Sequence, residues 1–143
     1  KMKHYCAYQE RCQKEVEEKL RELKVDRDMA DEIILSLLHE NFLKEERYAR
    51  AIARGKFRIN QWGKNKIKAA LRFSQISDNL IQMALSEIDD VEYQQTIQKL
   101  YDSKYQSLRD SKPAVRKQKT INYLLQKGFE MGDIMKLVNS FEI

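Results

Sequence analysis

Apolar residues recur along this chain in a pattern that occurs three times. When the sequence is shifted against itself by 51 residues, and then by a further 53, six apolar positions stay in register. Six positions kept apolar in three copies indicate tandem copies of one helical unit, with these residues in its core. The positions are Leu20, Val25, Ala30, Ile33, Ile34 and Leu37 in the first copy, Leu71, Ile76, Ile81, Ala84, Leu85 and Ile88 in the second, and Leu124, Phe129, Ile134, Leu137, Val138 and Phe141 in the third.

Each copy predicts a pair of helices joined by a short connection. Asp26 and Ser77 are favourable N-caps, since a short side-chain oxygen accepts a hydrogen bond from a free amide of the first turn. A third helix follows in the first two copies, over about residues 44–58 and 91–109. The first helix of a pair ends near Leu23, Phe73 or Lys127, and the second begins at Asp26, Ser77 or Glu130.

Pro113 and Gly128 mark the ends of one helix in the third copy. Proline suits a first helical turn, where its missing amide costs nothing, and glycine suits the position just past a helix end. The chain therefore predicts an all-α fold of about eight helices in tandem three-helix repeats, which form an elongated, curved body. We divide it into repeat 1 (1–59), repeat 2 (60–110) and a truncated repeat 3 with two helices (111–143).

The composition supports this fold class and excludes others. Four glycines and one proline among 143 residues are too few for the turns of a β-sandwich or barrel. Hydrophobic residues make up 42% of the chain, which is enough for a core, and two cysteines are too few for a disulfide scaffold. No signal peptide and no window of about 18 apolar residues occur, so we expect a cytoplasmic protein without membrane contact.

Positive charge is concentrated in two segments. The net charge is +5, yet residues 44–72 carry ten basic residues against two acidic ones, and residues 112–127 carry five basic residues and no acidic one. These segments leave a net charge of −8 for the rest of the chain. Such concentration suits a polyanion such as nucleic acid, although a solvated helix face would show the same charge.

Helical spacing favours the polyanion. Arginines in the first stripe suit bidentate contacts with phosphate or carboxylate. Two adjacent helices would each present a basic stripe on one side and apolar residues on the other. The first stripe is Arg47, Arg50, Arg54 and Arg58, opposite Tyr48, Ala51 and Ile52; the second is Lys64, Lys68 and Arg72, opposite Ile67, Ala70 and Leu71.

Two aromatic residues lie between or beside these stripes. Trp62 could stack on a base or anchor a protein interface, and it could equally lock the first helix of the second copy onto the first copy. We expect Phe57 in the core, because it precedes the joint between the two copies.

No pattern typical of a metal site or an enzyme occurs. The spacings among His4, Cys6, Cys12 and His39 do not match paired zinc ligands, and Cys6 and Cys12 do not share a helix face. The chain has no glycine-rich phosphate loop and no nucleophile elbow, and the acidic pair 89–90 fits a helix start. We therefore expect no catalysis, no metal and no cofactor.

The chain resembles a known family, the RecX regulators. These bacterial modulators of the RecA recombinase are built from tandem three-helix repeats. The resemblance covers essentially the whole chain and is most specific over residues 42–72. Its central signature is carried by Phe42-Leu43-Lys44-Glu45-Glu46-Arg47-Tyr48-Ala49-Arg50, Gly55-Lys56-Phe57-Arg58, Trp62-Gly63-Lys64-Asn65-Lys66-Ile67 and Leu71. The run Ile121-Asn122-Tyr123-Leu124-Leu125-Gln126-Lys127-Gly128-Phe129 is similar to the family's C-terminal repeat.

The resemblance implies a monomeric regulator that binds in the helical groove of the RecA filament on single-stranded DNA, with double-stranded DNA as a further ligand. It would restrain recombinase, ATPase and coprotease activities in homologous recombination, DNA repair and the SOS response. Phosphate contacts would position such a protein without reading sequence. The candidate filament- and DNA-binding residues are Arg47, Arg50, Arg54, Lys56, Arg58, Trp62, Lys64, Lys66, Lys68, Arg72, Arg116, Lys117 and Lys119.

Two other functions stay open. Short helices joined by tight turns can resemble helix-turn-helix units, so the chain could be a stand-alone nucleic-acid-binding module that acts without RecA. It could also be a helical scaffold that binds another protein through its acidic parts, with the basic stripes serving solubility. The residues alone do not separate arginines that touch DNA from those that touch acidic protein.

Overall fold

The computed structural model describes residues 1–141, and within them the chain forms nine α-helices and no strand. The all-α prediction is confirmed. The helices are α1 (Met2–Tyr8), α2 (Gln13–Glu22), α3 (Arg27–His39), α4 (Glu45–Arg58), α5 (Lys64–Phe73), α6 (Asp78–Ser86), α7 (Asp90–Ser107), α8 (Pro113–Gln126) and α9 (Met131–Ser140).

The predicted count of about eight helices misses a break between α1 and α2. Gln9 ends α1 in an extended conformation, with φ −157° and ψ 164°. The Cys12 amide then donates to Oε1 of Glu15 at 3.0 Å, so a carboxylate caps the start of α2. The Arg11 side chain lies 3.8 Å above the Tyr5 ring and ties this connection back to α1.

The three predicted helix pairs turn in the same way. Lys24, Gln75 and Gly128 follow the first helix of each pair in the left-handed conformation, with φ of 58°, 61° and 97°. The next amide bonds back to a residue of the apolar pattern, which closes a Schellman-type turn. These bonds join Val25 N to Leu20 O, Ile76 N to Leu71 O and Phe129 N to Leu124 O, each at 3.1 Å.

The predicted helix caps are confirmed. Side-chain oxygens of Asp26 and Ser77 accept hydrogen bonds from the amides of Met29 at 3.0 Å and Leu80 at 3.4 Å. Pro113 is the first residue of α8. Short polar side chains and proline therefore set the helix boundaries locally, before any packing is considered.

The repeated apolar positions form the core, with one exception. All six positions of the second copy are buried, and so are most of the others. Phe141 is 54% exposed, so its prediction as a core residue is wrong. Phe141 directly follows α9, and no helix comes after it within residues 1–141.

Helices pack in sequential groups. Helix α4 packs on α5 and α6, and α7 packs on α8 and α9, so one core continues from α4 to α9. A smaller core lies within α1 to α3 and the segment leading into α4. These groups differ by one helix from the units 1–59, 60–110 and 111–143, and those boundaries stay a prediction. Across residues 1–141, no helix is both long and apolar enough to cross a membrane.

Candidate nucleic-acid interface

Helix α4 carries the first basic stripe on its solvent side. Arg54 and Arg58 are exposed, while Arg47 and Arg50 are half-buried; we call these four residues the arginine stripe. The opposite face buries Tyr48, Ala49, Ala53 and Phe57, which confirms Phe57 as a core residue. Ala51 and Ile52, predicted on the apolar side with Tyr48, are only half-buried, because they flank the buried face.

Carboxylates face three of the four arginines. Arg47 Nε lies 2.7 Å from Oε1 of Glu10, and Arg58 Nε lies 3.4 Å from Oε1 of Glu92. Arg50 lies between two acids, with a terminal nitrogen 3.0 Å from Glu46 and its Nε 3.4 Å from Glu87. Arg54 alone in the stripe forms no ion pair with the described part of the chain.

Three of these acids come from elements other than α4, and two of them form a groove with the arginines. Glu87 and Glu92 flank the start of α7, and together with Asp89 they line a space of about 290 Å³ beside Arg50, Arg54 and Arg58. Most of the positive charge of the arginine stripe is therefore balanced within the protein. A polyanion would have to displace these carboxylates to reach Arg50 or Arg58.

The second stripe lies on α5, opposite the buried residues Ile67 and Leu71. Lys64 Nζ lies 4.8 Å from the ring centre of Tyr93, and Arg72 Nε lies 3.3 Å from Asp78 Oδ1. Lys68 is half-buried and makes no ion pair with residues 1–141. The predicted stripe is thus one helix face, but its three cations have different surroundings.

A separate group of cations lies over Trp62 and beside the connection that carries it. Lys56 Nζ and Lys66 Nζ lie 4.8 Å and 4.6 Å from the centre of the indole. Lys127, at the end of α8, donates from Nζ to the backbone oxygen of Asn60 at 2.9 Å. We call Lys56, Trp62, Lys66 and Lys127 the Trp62 cluster. None of its three lysines pairs with a carboxylate of residues 1–141.

The surroundings of Lys127 in the Trp62 cluster disfavour its positive charge. Burial lowers the pKa of Lys127 below the ordinary lysine value, and the positive charge of Lys66 lowers it further. Like charges held together without a counter-ion attract an anion, which would relieve their repulsion. Lys127 belongs to the second basic segment, but no spacing rule relates it to α5, so it is absent from the residues predicted from the sequence.

A backbone joint brings the end of α8 to the start of α5. The Gly63 amide donates to Lys127 O at 2.8 Å, and the Asn65 amide donates to Gly128 O at 2.9 Å. A Cβ atom at Gly63 would lie 2.2 Å from the Phe129 nitrogen, and one at Gly128 would lie 2.3 Å from the Lys66 Cβ. Both positions therefore require glycine, and their contact brings Lys127 close to Asn60 and Lys66.

Tyr93 of α7 closes this joint from inside. Its hydroxyl accepts a hydrogen bond from the Lys64 amide at 3.0 Å, and its ring lies between Phe57 and Phe129, at centroid distances of 5.7 Å and 5.4 Å. Burial raises the pKa of Tyr93 well above the ordinary tyrosine value. The first amides of α5 are thus occupied by protein acceptors, and its N-terminus is closed to an external anion.

The candidates on α8 lie in different surroundings. Arg116 donates from Nε to Tyr105 O at 2.6 Å and stacks 3.8 Å above the Tyr105 ring, so it contributes to packing of α8 on α7. Lys117 is half-buried near Tyr101, and Lys119 is exposed. The structure therefore joins Lys127, rather than these three, to the cations of α4 and α5.

Two family models match the region that holds these surfaces. The second three-helix domain of RecX matches residues 45–85, and the third three-helix domain of RecX matches residues 90–138. The first match covers α4, α5 and nearly all of α6, and the second covers α7, α8 and most of α9. The joint at Gly63 and Gly128 thus connects two consecutive domains of this type.

Curated relatives and solved structures agree with the family models. Regulatory protein RecX of Oceanobacillus iheyensis is 27% identical over 97% of this chain and 51% of its own length. Regulatory protein RecX of Clostridium perfringens strain 13 is 33% identical over 82% of this chain and 56% of its own length. The chain spans about half the length of the curated relatives it matches.

Two crystal structures share the fold. RecX from Lactobacillus salivarius superposes with a TM-score of 0.87 at 27% identity, covering 97% of this chain and 90% of that one. A further regulatory protein RecX superposes with a TM-score of 0.89 at 22% identity, covering 96% of this chain and 69% of that one. The tandem three-helix arrangement is therefore common to this chain and to both structures.

Proposed function

This chain belongs to the RecX family of regulatory proteins, and from that premise we propose that it binds the RecA filament on single-stranded DNA and restrains its activities. The groove of that filament is the proposed binding place, and recombinase, ATPase and coprotease functions are the proposed targets. The chain would act by occupying the filament, without catalysis of its own.

One observation supports this proposal most strongly. Two consecutive RecX-type domains are joined so that cations from α4, α5 and α8 converge at their junction without acidic partners among residues 1–141. A nucleoprotein filament exposes phosphate and acidic protein along its length, and a surface of unbalanced cations at a junction of domains is complementary to both.

The direct test is RecA activity on single-stranded DNA. We expect the chain to inhibit RecA-dependent ATP hydrolysis and strand exchange at about one molecule per few RecA protomers. Inhibition should weaken as salt rises, because phosphate contacts release counter-ions. An unchanged ATPase rate at that stoichiometry and low salt would contradict the proposal.

Charge reversal at unpaired cations tests where the filament binds. The triple variant Arg54→Glu, Lys64→Glu and Lys68→Glu should lose inhibition while keeping its helical circular dichroism spectrum. Arg50 is left unchanged, because a glutamate there would join Glu46 and Glu87 and destabilise the fold. A matched control reverses the exposed residues Lys99, Arg109 and Lys136; equal loss in the control would indicate a net-charge effect instead.

A stand-alone nucleic-acid-binding module is the second candidate function. The half-buried indole of Trp62 favours it, because the two lysines over the ring pair with no carboxylate of residues 1–141, and aromatic rings and cations together bind single strands. Naked DNA and the RecA filament separate the two candidates. Binding to naked DNA that is equally tight with and without RecA, and no effect on RecA activity, would favour the module.

A further inference from the structure

The Trp62 indole is a rigid aromatic surface that stays partly open to solvent. Its ring packs against the main core, and its backbone amide donates to Lys56 O at 3.0 Å, which fixes the connection between α4 and α5. The side chain is nevertheless only half-buried. A half-open ring held in one orientation loses little conformational entropy when a flat ligand stacks on it.

Two ammonium groups lie over this ring, and a third lies beside the connection that carries it. Lys56 reaches it from the last turn of α4, Lys66 from the first turn of α5, and Lys127 approaches from the end of α8 through the glycine joint. The contacts of Lys56 and Lys66 with the indole are weak at a solvent-accessible site, so both side chains can turn aside for a ligand.

From this arrangement we propose that the Trp62 cluster is a subsite for single-stranded nucleic acid. A base stacks on the indole of Trp62, while Lys56, Lys66 and Lys127 hold the phosphates on either side of that base. The inference rests on the proposed function only in assigning the DNA of the filament to this cluster. It also assigns a contact to Lys127, which no sequence pattern selected.

Single strands fit this cluster better than two other anionic ligands. The faces of bases in a duplex are covered by their neighbours, so an indole on the surface could not stack on them without opening the helix. An acidic peptide supplies carboxylates for the lysines but no flat face for the ring. Stacking is also tolerant of base identity, which suits a regulator without sequence preference.

The chain has a single tryptophan, so its fluorescence reports on this subsite alone. Titration with an oligodeoxythymidylate of about 12 nucleotides, within the usual site size for single strands, should quench the emission of Trp62. Inorganic polyphosphate of equal charge should bind with much less quenching, and polyglutamate should give none. Equal quenching by polyphosphate or polyglutamate would overturn the stacking assignment.

Variants of the lysines test the phosphate contacts. The pair Lys66→Gln and Lys127→Gln should weaken oligonucleotide affinity about tenfold and make the log–log salt slope shallower by about 1.4, which corresponds to two lost phosphate contacts on a single strand. The pair Lys99→Gln and Lys136→Gln changes net charge equally at exposed positions and serves as the control. Equal losses in both pairs would overturn the assignment of these lysines.

Variants of the ring test stacking independently. With a dye-labelled oligonucleotide, Trp62→Leu should lose about tenfold in affinity, and Trp62→Phe should keep most of it, because a smaller ring still stacks. Circular dichroism establishes whether each variant folds. Should Trp62→Leu fail to fold, the lysine pair decides, and a lysine pair with the affinity of the parent chain would overturn the subsite.

Failure of this subsite differs from failure of the proposed function. Loss of oligonucleotide binding together with loss of RecA inhibition in the Lys66 and Lys127 variant supports both. Loss of oligonucleotide binding with full RecA inhibition overturns the assignment of filament DNA to this cluster and leaves the regulator intact. A parent chain that quenches with oligonucleotide but never affects RecA keeps the subsite and overturns the proposed function.

Discussion

The arginine stripe and the Trp62 cluster carry the same sign of charge in opposite surroundings. Acids from other elements lie 2.7–3.4 Å from Arg47, Arg50 and Arg58, whereas the lysines around Trp62 face an indole and a backbone oxygen. The density of basic residues along a sequence therefore differs from the charge available to a ligand. Folding determines how much of that charge is already balanced.

The two regions also differ in how they are built. The spacing of the arginine stripe follows from one helix, so it would survive a change elsewhere in the fold. The Trp62 cluster exists only because the glycine joint brings residue 127 to residues 56–66. Either region can therefore be altered while the other serves as its reference.

The largest effect is expected from breaking the joint. Gly128→Ala puts a side chain at φ 97° and a Cβ 2.3 Å from Lys66 Cβ, so we expect the free energy of unfolding to fall by about 3 kcal/mol or more. The Trp62 emission spectrum should shift as the cluster opens. Denaturant titration measures both.

Two other glycines supply the control for this loss. Gly55 and Gly132 lie in helices α4 and α9, and no atom outside their own helix backbone would meet an added Cβ within 4 Å. Replacing either by alanine should stabilise the chain by about 0.5–1 kcal/mol through helix propensity. A Gly128→Ala variant as stable as Gly132→Ala would contradict the account of the joint.

A second prediction concerns pH. Because the pKa of Lys127 is lowered, Lys127 loses its proton at a lower pH than an ordinary lysine, and anion binding by the Trp62 cluster should weaken as pH rises towards the range where ordinary lysines titrate. Arginine stays protonated across this range, so contacts of the arginine stripe should not change. Affinity for oligodeoxythymidylate measured against pH follows this loss.

Nuclear magnetic resonance of labelled lysine side chains measures the pKa of Lys127 and identifies what lowers it. Lys66→Gln should raise the pKa of Lys127 only in part, because burial is the larger cause of its lowering. A bound oligonucleotide should raise it further, since a phosphate favours the charged ammonium. An ordinary lysine pKa for Lys127, or a Lys127 pKa that does not change when the oligonucleotide binds, would contradict the proposed cluster.

A third prediction removes carboxylates that pair with the arginine stripe. Removing the acids with Glu87→Gln and Glu92→Gln frees Arg58 and leaves Arg50 paired with Glu46 alone, so we expect affinity for single-stranded DNA to rise about two-fold and the salt slope to steepen by about 0.7, the value for one further phosphate contact on a single strand. Stability should fall by less than about 1 kcal/mol per lost ion pair, because these pairs are solvent-accessible. Fluorescence anisotropy and thermal melting measure the two effects.

Two acids far from the stripe provide the comparison. Glu17→Gln and Glu18→Gln change the net charge by the same amount on α2, in the acidic first part of the chain. Their affinity should rise less than that of the Glu87 and Glu92 variant. If both pairs raise it equally, long-range net charge rather than local masking accounts for the difference between the regions.

Most of the fold follows from the sequence because it is encoded at short range. The apolar repeat, the caps at Asp26 and Ser77 and the turn at Gly128 each depend on residues within about five positions of one another. Phe141 and the break before Cys12 were mispredicted, because covering an apolar residue and ending α1 depend on neighbours that a periodic pattern does not contain.

Sequence patterns do not predict which charges on the surface are paired. Glu10 and Arg47 are 37 residues apart, and Lys127 and Asn60 are 67 residues apart. No helical or strand period relates positions so distant, and only packed domains bring them into contact. Stripe spacing therefore predicts a helix face correctly while giving no information about which of its cations are already paired.

The smallest expected effect is a difference in oligonucleotide affinity between variants of two arginines in the stripe. Arg54 has no ion pair within residues 1–141, whereas Arg58 lies 3.4 Å from Glu92. Arg54→Gln should weaken oligonucleotide binding about two-fold, and Arg58→Gln should change it less, because its charge is already balanced. Parallel anisotropy titrations at low salt measure which variant loses more affinity. A larger loss for Arg58→Gln than for Arg54→Gln would contradict this prediction.

Photo-cross-linking within the RecA filament tests the central claim most directly. A benzophenone amino acid placed at position 62, and in a second variant at position 58, reports what each region touches on end-labelled single-stranded DNA coated with RecA. We predict label transfer from DNA at position 62 and little at position 58. Transfer at position 58 without transfer at position 62 would contradict the account.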